Sequence, residues 1–368
     1  MGKKSFIPAA EPEITEKEIK YVNECVKSGW ISSLGKFVTK FEEKFSKFCG
    51  CKYGISTSNG TTALHLALDI LGIREGDEVI MPAFTFVATA NAVSYLGAKP
   101  IFVDSEYSSW NIDPQKIEEK ITKKTKAIIA VHLYGHPANM GPIMKLARKY
   151  QLYVIEDASE AHGALYRGKK VGSIGEMGSF SFYGNKIITT GEGGMITTNK
   201  AKWDKRARFL RDHAMSPKKR YYHPERGYNY RITNIQAAIG LAQVERINKI
   251  LAKKEKIEKM YNRLLSGIKG ISFQPQAPWA KKVCWMYSVL INDEFPLSRI
   301  QLEQELKKRG IDTRPFFIPM NKLPMYKTNE KFPVAEDLSR RGLSLPSSTK
   351  LNNSDIEYIC NVIRKLSE

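Results

Sequence analysis

Between residues 79 and 156 the chain repeats one pattern, a short β-branched run and then a helical stretch, and this alternation limits its fold more than anything else. Residues 79–81, 100–104, 127–132 and 152–156 read as buried strands. Pro142 suits the first turn of the helix joining the last two, where a proline's missing N–H is not needed. Strand, crossover helix and strand make the parallel βαβ unit, so an α/β fold is expected, its sheet mixed but mostly parallel and lying between helices.

The flanks extend this reading. Thr15 and Glu18 form a capping box for an amphipathic first helix, with Ile19, Val22 and Val26 at helical spacing and Ser28-Gly29 as its stop. A second helix is expected over 38–48. From Thr233 a long helical pattern runs through Ile235, Ala238, Ile239, Ala242, Ile247 and Leu251, and carries the chain out of a large domain near residue 250. A smaller α+β domain should follow, with a strand over 284–291. Its helices are one opened by Ser298 with Gln301 and closed by Gly310, and a last one over 354–366.

Composition excludes several classes. The 368 residues, 42% apolar, suffice for two domains with a substantial core. No run approaches the ~20 apolar residues of a membrane span. Met1-Gly-Lys-Lys-Ser-Phe-Ile-Pro8 lacks a secretory signal, and Ser5 does not stand where a myristoylated Gly2 needs its serine. Cys25, Cys49, Cys51, Cys284 and Cys360 are scattered without zinc spacing, which points to a reducing cytoplasm and no metal. The net charge of +20 raises a nucleic-acid reading. Its densest patch, Lys218-Lys-Arg-Tyr-Tyr-His-Pro-Glu-Arg226, is short and has no nucleic-acid motif beside it. A solvated lysine-rich surface is the expectation.

Chemistry concentrates at Lys186, within Gly178-Ser-Phe-Ser-Phe-Tyr-Gly-Asn-Lys186-Ile-Ile-Thr-Thr-Gly-Glu-Gly-Gly194. An aromatic pocket desolvates an ammonium and lowers its pKa from ~10.4, which suits a lysine to Schiff-base formation. A lone lysine would read as a surface residue in a turn between strands. Other features shift that balance. Ser58-Asn-Gly-Thr-Thr62 opens a helix and offers backbone N–H groups and hydroxyls to an anion. Asp157 follows the 152–156 strand, where parallel sheets bind ligands, and can pair with a protonated ring nitrogen. Phe86 could stack on a flat ring, and Ser181 stands five positions before the lysine. Singly, the first reads better as a plain cap, Asp157 equally well as a cap or surface carboxylate, and Phe86 more often as core. Together they suggest pyridoxal 5′-phosphate.

Ser28-Gly-Trp-Ile-Ser-Ser33, Gly60-Thr-Thr-Ala-Leu-His-Leu-Ala67, Glu156-Asp-Ala-Ser-Glu-Ala-His-Gly163, the lysine segment and Gly227-Tyr-Asn-Tyr-Arg231 before Gln236-Ala-Ala238 carry a resemblance. Over nearly its whole length the chain resembles a fold-type-I, pyridoxal-phosphate-dependent sugar aminotransferase, of the nucleotide-sugar group often named for DegT, DnrJ, EryC1 and StrS. The resemblance implies a large cofactor-binding domain over 1–250 and a small domain over 251–368. It implies Lys186 as the Schiff-base lysine, with Gly60, Thr61 and Ser181 at the cofactor phosphate. Phe86 is then stacked on the pyridine ring, Asp157 lies at the ring nitrogen, and Glu160 stands where many relatives place a glutamine at the ring hydroxyl. Asn229 matches a residue reaching the neighbouring subunit's cofactor, so a homodimer with shared sites is implied.

Gly135-His-Pro137, the lysine segment, Lys219-Arg-Tyr221 and Arg314-Pro-Phe-Phe-Ile-Pro319 most resemble the branch that makes GDP-perosamine. The implied reaction moves an amino group from L-glutamate to C4 of GDP-4-keto-6-deoxymannose, with Lys219, Arg220 and Arg314 as candidate pyrophosphate ligands. Met320-Asn-Lys322 departs from that branch, which commonly has a histidine shortly before the equivalent of Leu323-Pro324. A UDP- or dTDP-linked 4-keto-6-deoxy sugar is the alternative substrate. A non-catalytic DNA-binding regulator is the rival from another class.

Overall fold

The computed structural model describes residues 6–368, so the reading of Gly2 and Ser5 lies outside the described residues. All four expected strands form, with ends within two residues of expectation, inside one seven-stranded sheet. The sheet comprises β1 (Tyr53–Thr57), β2 (Glu78–Pro82), β3 (Lys99–Val103), β4 (Thr125–Val131), β5 (Tyr153–Asp157), β6 (Met177–Ser181) and β7 (Gly194–Thr198). Its order is β1-β7-β6-β5-β4-β2-β3. Neighbours from β6 to β3 pair in parallel, and β7 is antiparallel to both its partners. Alternate residues bury into different cores: Ile129 and Ile155 into one, Ile128 and Val154 into another. Covering on both faces explains why these strands are apolar without interruption.

The helices beside this sheet are α1 (Glu16–Ser28), α2 (Lys36–Cys49), α3 (Gly60–Ile70), α4 (Ala88–Ser94), α5 (Met140–Tyr150), α6 (Ala201–Arg211), α7 (Asn234–Glu245) and α8 (Ile247–Leu265). Phe41 and Phe45 of α2 meet Phe182 and Phe180 edge-on, which packs that helix under the Lys186 segment. The first helix has its Thr15–Glu18 capping box and stops at Gly29 in the left-handed region. Its expected apolar stripe, however, does not face the core: Ile19 and Val26 are exposed while Glu18 and Cys25 are buried. Glu18 is drawn inward by Gln243 Nε2 at 2.7 Å and Arg246 Nε at 2.9 Å, so a polar anchor orients α1.

Two further expectations are corrected. The helical pattern from Thr233 is two helices, broken at Arg246, whose backbone leaves helical geometry (φ −116°, ψ 11°) while its guanidinium reaches back to Glu13 and Glu18. The strand expected over 284–291 begins only at Tyr287. A turn bond from Trp285 N–H to the Val283 carbonyl, 3.1 Å, takes that amide out of the ladder.

A second, antiparallel sheet has the order β8-β9-β11-β10, from β8 (Ile271–Phe273), β9 (Tyr287–Ile291), β10 (Arg314–Pro315) and β11 (Gly342–Leu345). With it pack α9 (Arg299–Lys308), capped by Ser298 and Gln301 as expected, α10 (Pro333–Arg341) and α11 (Asn353–Ser367). The chain does not simply leave the large unit after α8. Trp285, Phe316, Met320 and Phe332 bury in the same core as α2 and α3. The N-terminal segment crosses the other way: Ile7 exchanges backbone hydrogen bonds with Gly310 and Asp312, and the Ala9 carbonyl accepts from Ser347 N–H at 2.9 Å. Among the described residues no helix is long and apolar enough to cross a membrane.

Candidate active site

The carboxyl end of the parallel strands gathers most of the expected residues. Asp157 ends β5, in register with Val131 on one side and Ser179 on the other. Ser181 ends β6 opposite Gly194, and Thr57 at the end of β1 faces the same glycine. Lys186 lies in the β6–β7 connection, and α3 starts just beyond β1 at Gly60. Asn59 caps that start by accepting from Thr62 N–H at 2.9 Å, while the amides of Gly60 and Thr61 precede any intrahelical bond. A Cβ on Gly60 would lie 2.7 Å from Ser181 Cβ. Glycine is therefore required by the close approach of two backbones, which sets helix N–H groups and a serine hydroxyl side by side.

Lys186 is almost enclosed, and its Nζ stands 3.8 Å from Glu160 Oε1. Burial takes its ammonium below the ordinary lysine value, with Glu160 and Asp157 opposing. Glu160 is pushed up to about 7, first by burial; the Lys186 charge and the Tyr134 N–H, donating to Oε2 at 2.8 Å, hold it back. The pair therefore joins a carboxyl and an amine whose charged forms are both disfavoured by burial. Asp157 accepts from Thr89 Oγ1 at 2.9 Å and from Ser159 N–H at 3.2 Å, which fixes its carboxylate at the carboxyl end of the sheet.

Residues 12–364 match the DegT/DnrJ/EryC1/StrS aminotransferase family. The chain belongs to that family. It is 45% identical over 361 residues to the GDP-perosamine synthase of Escherichia coli O157:H7, with 98% of each chain covered. It is 46% identical over 356 residues to the GDP-perosamine synthase of Caulobacter vibrioides, with 96% of each covered. The crystal structure of S. venezuelae DesV matches with a TM-score of 0.93 at 31% identity, over 99% of both chains. The protein is thus an aminotransferase, and enzymes of this family use pyridoxal 5′-phosphate. The residues present fit that group: an amine beside a carboxyl, an ordered aspartate for a ring nitrogen, and a tight Gly60–Ser181 turn with amides for a phosphate.

Not every expected residue is drawn into this cluster. Phe86, between β2 and α4, is 54% exposed and touches Phe317 at 5.6 Å with tilted rings. Asn229 is exposed, although the Tyr230 carbonyl next to it accepts from Ser58 N–H at 2.8 Å and so borders the α3 turn. Lys219 and Arg220 lie on the exposed connection after α6, with their cations over Tyr222 and Tyr221 of the same loop. Arg314 is exposed on β10 and its guanidinium pairs with Asp312. Among the described residues, these three cations pair with Tyr222, Tyr221 and Asp312 and not with the Lys186 cluster.

Sequence reasoning passed over four residues that the fold brings in. Thr89 lies in the first turn of α4, from which its hydroxyl reaches Asp157. Tyr134 sits in a left-handed backbone position (φ 50°), which aims its N–H at Glu160 and its ring at Phe316, 4.4 Å away. His162 is fully buried among Phe45, Phe180 and Phe182 and held neutral, its pKa pushed down to about 3 by burial and by Lys186. Trp285 arrives from the small sheet and has no local motif. The one available signal was position, since Thr89 and Tyr134 both closely follow strand ends.

Proposed function

We propose that this aminotransferase moves the amino group of L-glutamate to C4 of GDP-4-keto-6-deoxymannose and so forms GDP-perosamine. The observation that carries the proposal is the near-full-length similarity to two GDP-perosamine synthases, joined to a site whose amine, carboxyls and phosphate-sized turn are all present. When bound, pyridoxal phosphate supplies an electrophilic carbon for amines and a ring that accepts carbanion charge. In this reading Lys186 holds the cofactor and, as a free amine, takes and returns a proton at Nζ. Asp157 holds positive charge on the ring nitrogen, and its Thr89 bond keeps it aimed. Glu160 would lie at the ring hydroxyl, beside Lys186. Gly60, Thr61 and Ser181 receive the phosphate, and Phe86 covers the ring. Lys219, Arg220 and Arg314 remain the candidates for the pyrophosphate.

The same reading makes the enzyme a homodimer. Ile19, Val26, Trp30, Ile31 and Leu34 are all exposed along α1 and the turn after it, an apolar surface that a second copy would cover. Asn229 would then reach across to the partner's phosphate. Five free, buried cysteines are in keeping with a reducing cytoplasm.

The test is the aminated product, measured by mass spectrometry, from GDP-4-keto-6-deoxymannose beside UDP- and dTDP-4-keto-6-deoxyglucose. A pocket paired to guanine leaves buried polar groups unmatched with uracil or thymine, which is costly. The GDP sugar should have the highest kcat/KM. A higher value for either glucose-derived donor would discard the perosamine assignment and keep the aminotransferase.

A further inference from the structure

Trp285 stands at the entry to β9, and its buried side chain meets the Lys186 segment. Lys186 Nζ lies 4.1 Å from the centroid of its ring, within cation–π range. The indole Nε1–H donates to the Asn185 carbonyl at 2.9 Å, the peptide directly before Lys186. Tyr134 stacks beside the indole at 5.9 Å and 21°, and the same residue holds Glu160 through its backbone N–H. Behind the indole, the buried Lys254 of α8 donates from Nζ to the Trp285 carbonyl at 2.8 Å and to the Ser347 carbonyl at 2.5 Å.

We propose that Trp285 is the positioning residue of Lys186: its ring carries the ammonium, its Nε1–H fixes the peptide that presents the lysine, and Lys254 holds Trp285 in place. The physical need is plain. A lysine in a connection between strands can swing, and burial alone disfavours its charged form. An electron-rich ring face supports the charged form without adding a second anion. The titratable and charged groups near Nζ are the Glu160 and Asp157 carboxyls and the His162 imidazole, with the Tyr134 ring stacked beside the indole and Lys254 on the α8 side. Lys254 is engaged by two carbonyls, so its role is to tie down the backbone. Because Trp285 and Lys254 come from the C-terminal part of the chain, the lysine is set by an element that a motif around residue 186 does not contain.

The proposal deepens the aminotransferase reading, and its importance for catalysis rests on that reading, but its test does not. The full-length chain, stripped of cofactor, is labelled with trace isotopic acetic anhydride across pH, and mass spectrometry follows the peptide carrying Lys186. Loss of the ring face makes the ammonium less favourable, so Trp285→Leu should lower the titration midpoint of Lys186 by about one pH unit. Trp285→Phe keeps a ring and should lower it less. In the same Phe variant, loss of the Nε1–H bond should speed amide exchange over residues 184–187 severalfold, as expected for a bond of about 1 kcal/mol. An unchanged or raised midpoint in a folded Trp285→Leu chain overturns the proposal. If that variant does not fold by circular dichroism, the Phe variant decides: unchanged exchange over 184–187 overturns it and faster exchange upholds it. A chain that shows these shifts but aminates no nucleotide sugar would defeat the proposed function alone.

Discussion

The carboxyl end of the sheet around Lys186 and the exposed connection after α6 carry the two halves of the proposed chemistry, and they are built in opposite ways. At the carboxyl end of the sheet Asp157 and Glu160 are buried and the Lys186 side chain is only 12% exposed, and Asp157 and Glu160 are fixed by bonds from Thr89, Ser159 and Tyr134. On the connection, Lys219 and Arg220 are exposed and rest on tyrosines of their own loop. Groups that do covalent work need a fixed, dry position that one chain can supply. Groups that meet a charged substrate can wait in water, where each is worth little until something covers it.

The largest effect expected on the buried side is that of Lys186→Ala. Losing a covalent nucleophile costs several kcal/mol of barrier, so turnover should fall by at least about a thousandfold with the fold intact. Activity within tenfold of the parent would falsify its role.

Glu160→Gln comes next and reads out in stability. The ordinary carboxyl value of 4.5 is raised to about 7 in the folded chain. Its contribution is therefore complete below 4.5 and lost as pH rises through 7, on the order of 3 kcal/mol. Lys186, whose value is lowered, runs the other way: its penalty is lifted as pH rises toward 10.5. Urea unfolding of the cofactor-free chain should thus show the parent losing stability relative to the Gln variant between pH 4.5 and 7. Parallel curves for the two chains would mean that Glu160 is not held neutral.

Asp157→Asn keeps the shape and loses the charge. A charge-assisted contact is worth roughly 1.5–3 kcal/mol, so kcat should fall by about tenfold to a hundredfold while cofactor is retained. Equal kcat for both half-reactions would remove Asp157 from the ring nitrogen. The smallest effect belongs to the exposed side: Arg220→Ala should raise KM by less than about fivefold, and less again at high salt. A loss above tenfold would erase the contrast, because it would show Arg220 buried against substrate or a second subunit.

The legible part of this molecule is the part with local causes. The strands from 78 to 157 announce themselves because two-sided burial demands uninterrupted apolar runs, and the caps at Thr15 and Ser298 close within one turn. The Lys186 and Asp157 neighbourhoods could be read because each is a contiguous segment at a strand end. What escaped reading depends on distant partners. The stripe of Ile19 and Val26 looked like a core face, yet Gln243 and Arg246, more than 220 residues away, turn α1 the other way. The break at Arg246 has the same cause. Trp285 carries no local signal, since its importance lies in a carbonyl at Asn185 and an ammonium at Lys254.

The crossing of the segment around Ile7 and Ala9 onto the C-terminal part of the chain has a consequence for how the protein is made. Ile7 and Ala9 are synthesised more than 300 residues ahead of their backbone partners Gly310, Asp312 and Ser347. A ribosome adding ~5–20 residues per second keeps this segment waiting for at least ~15 seconds before those partners emerge. Until then the segment must stay unpaired or be shielded, and closure over so long a loop is intrinsically slow. A nascent chain halted near residue 250 would already contain all seven strands of the large sheet, with the segment around Ile7 still unpaired.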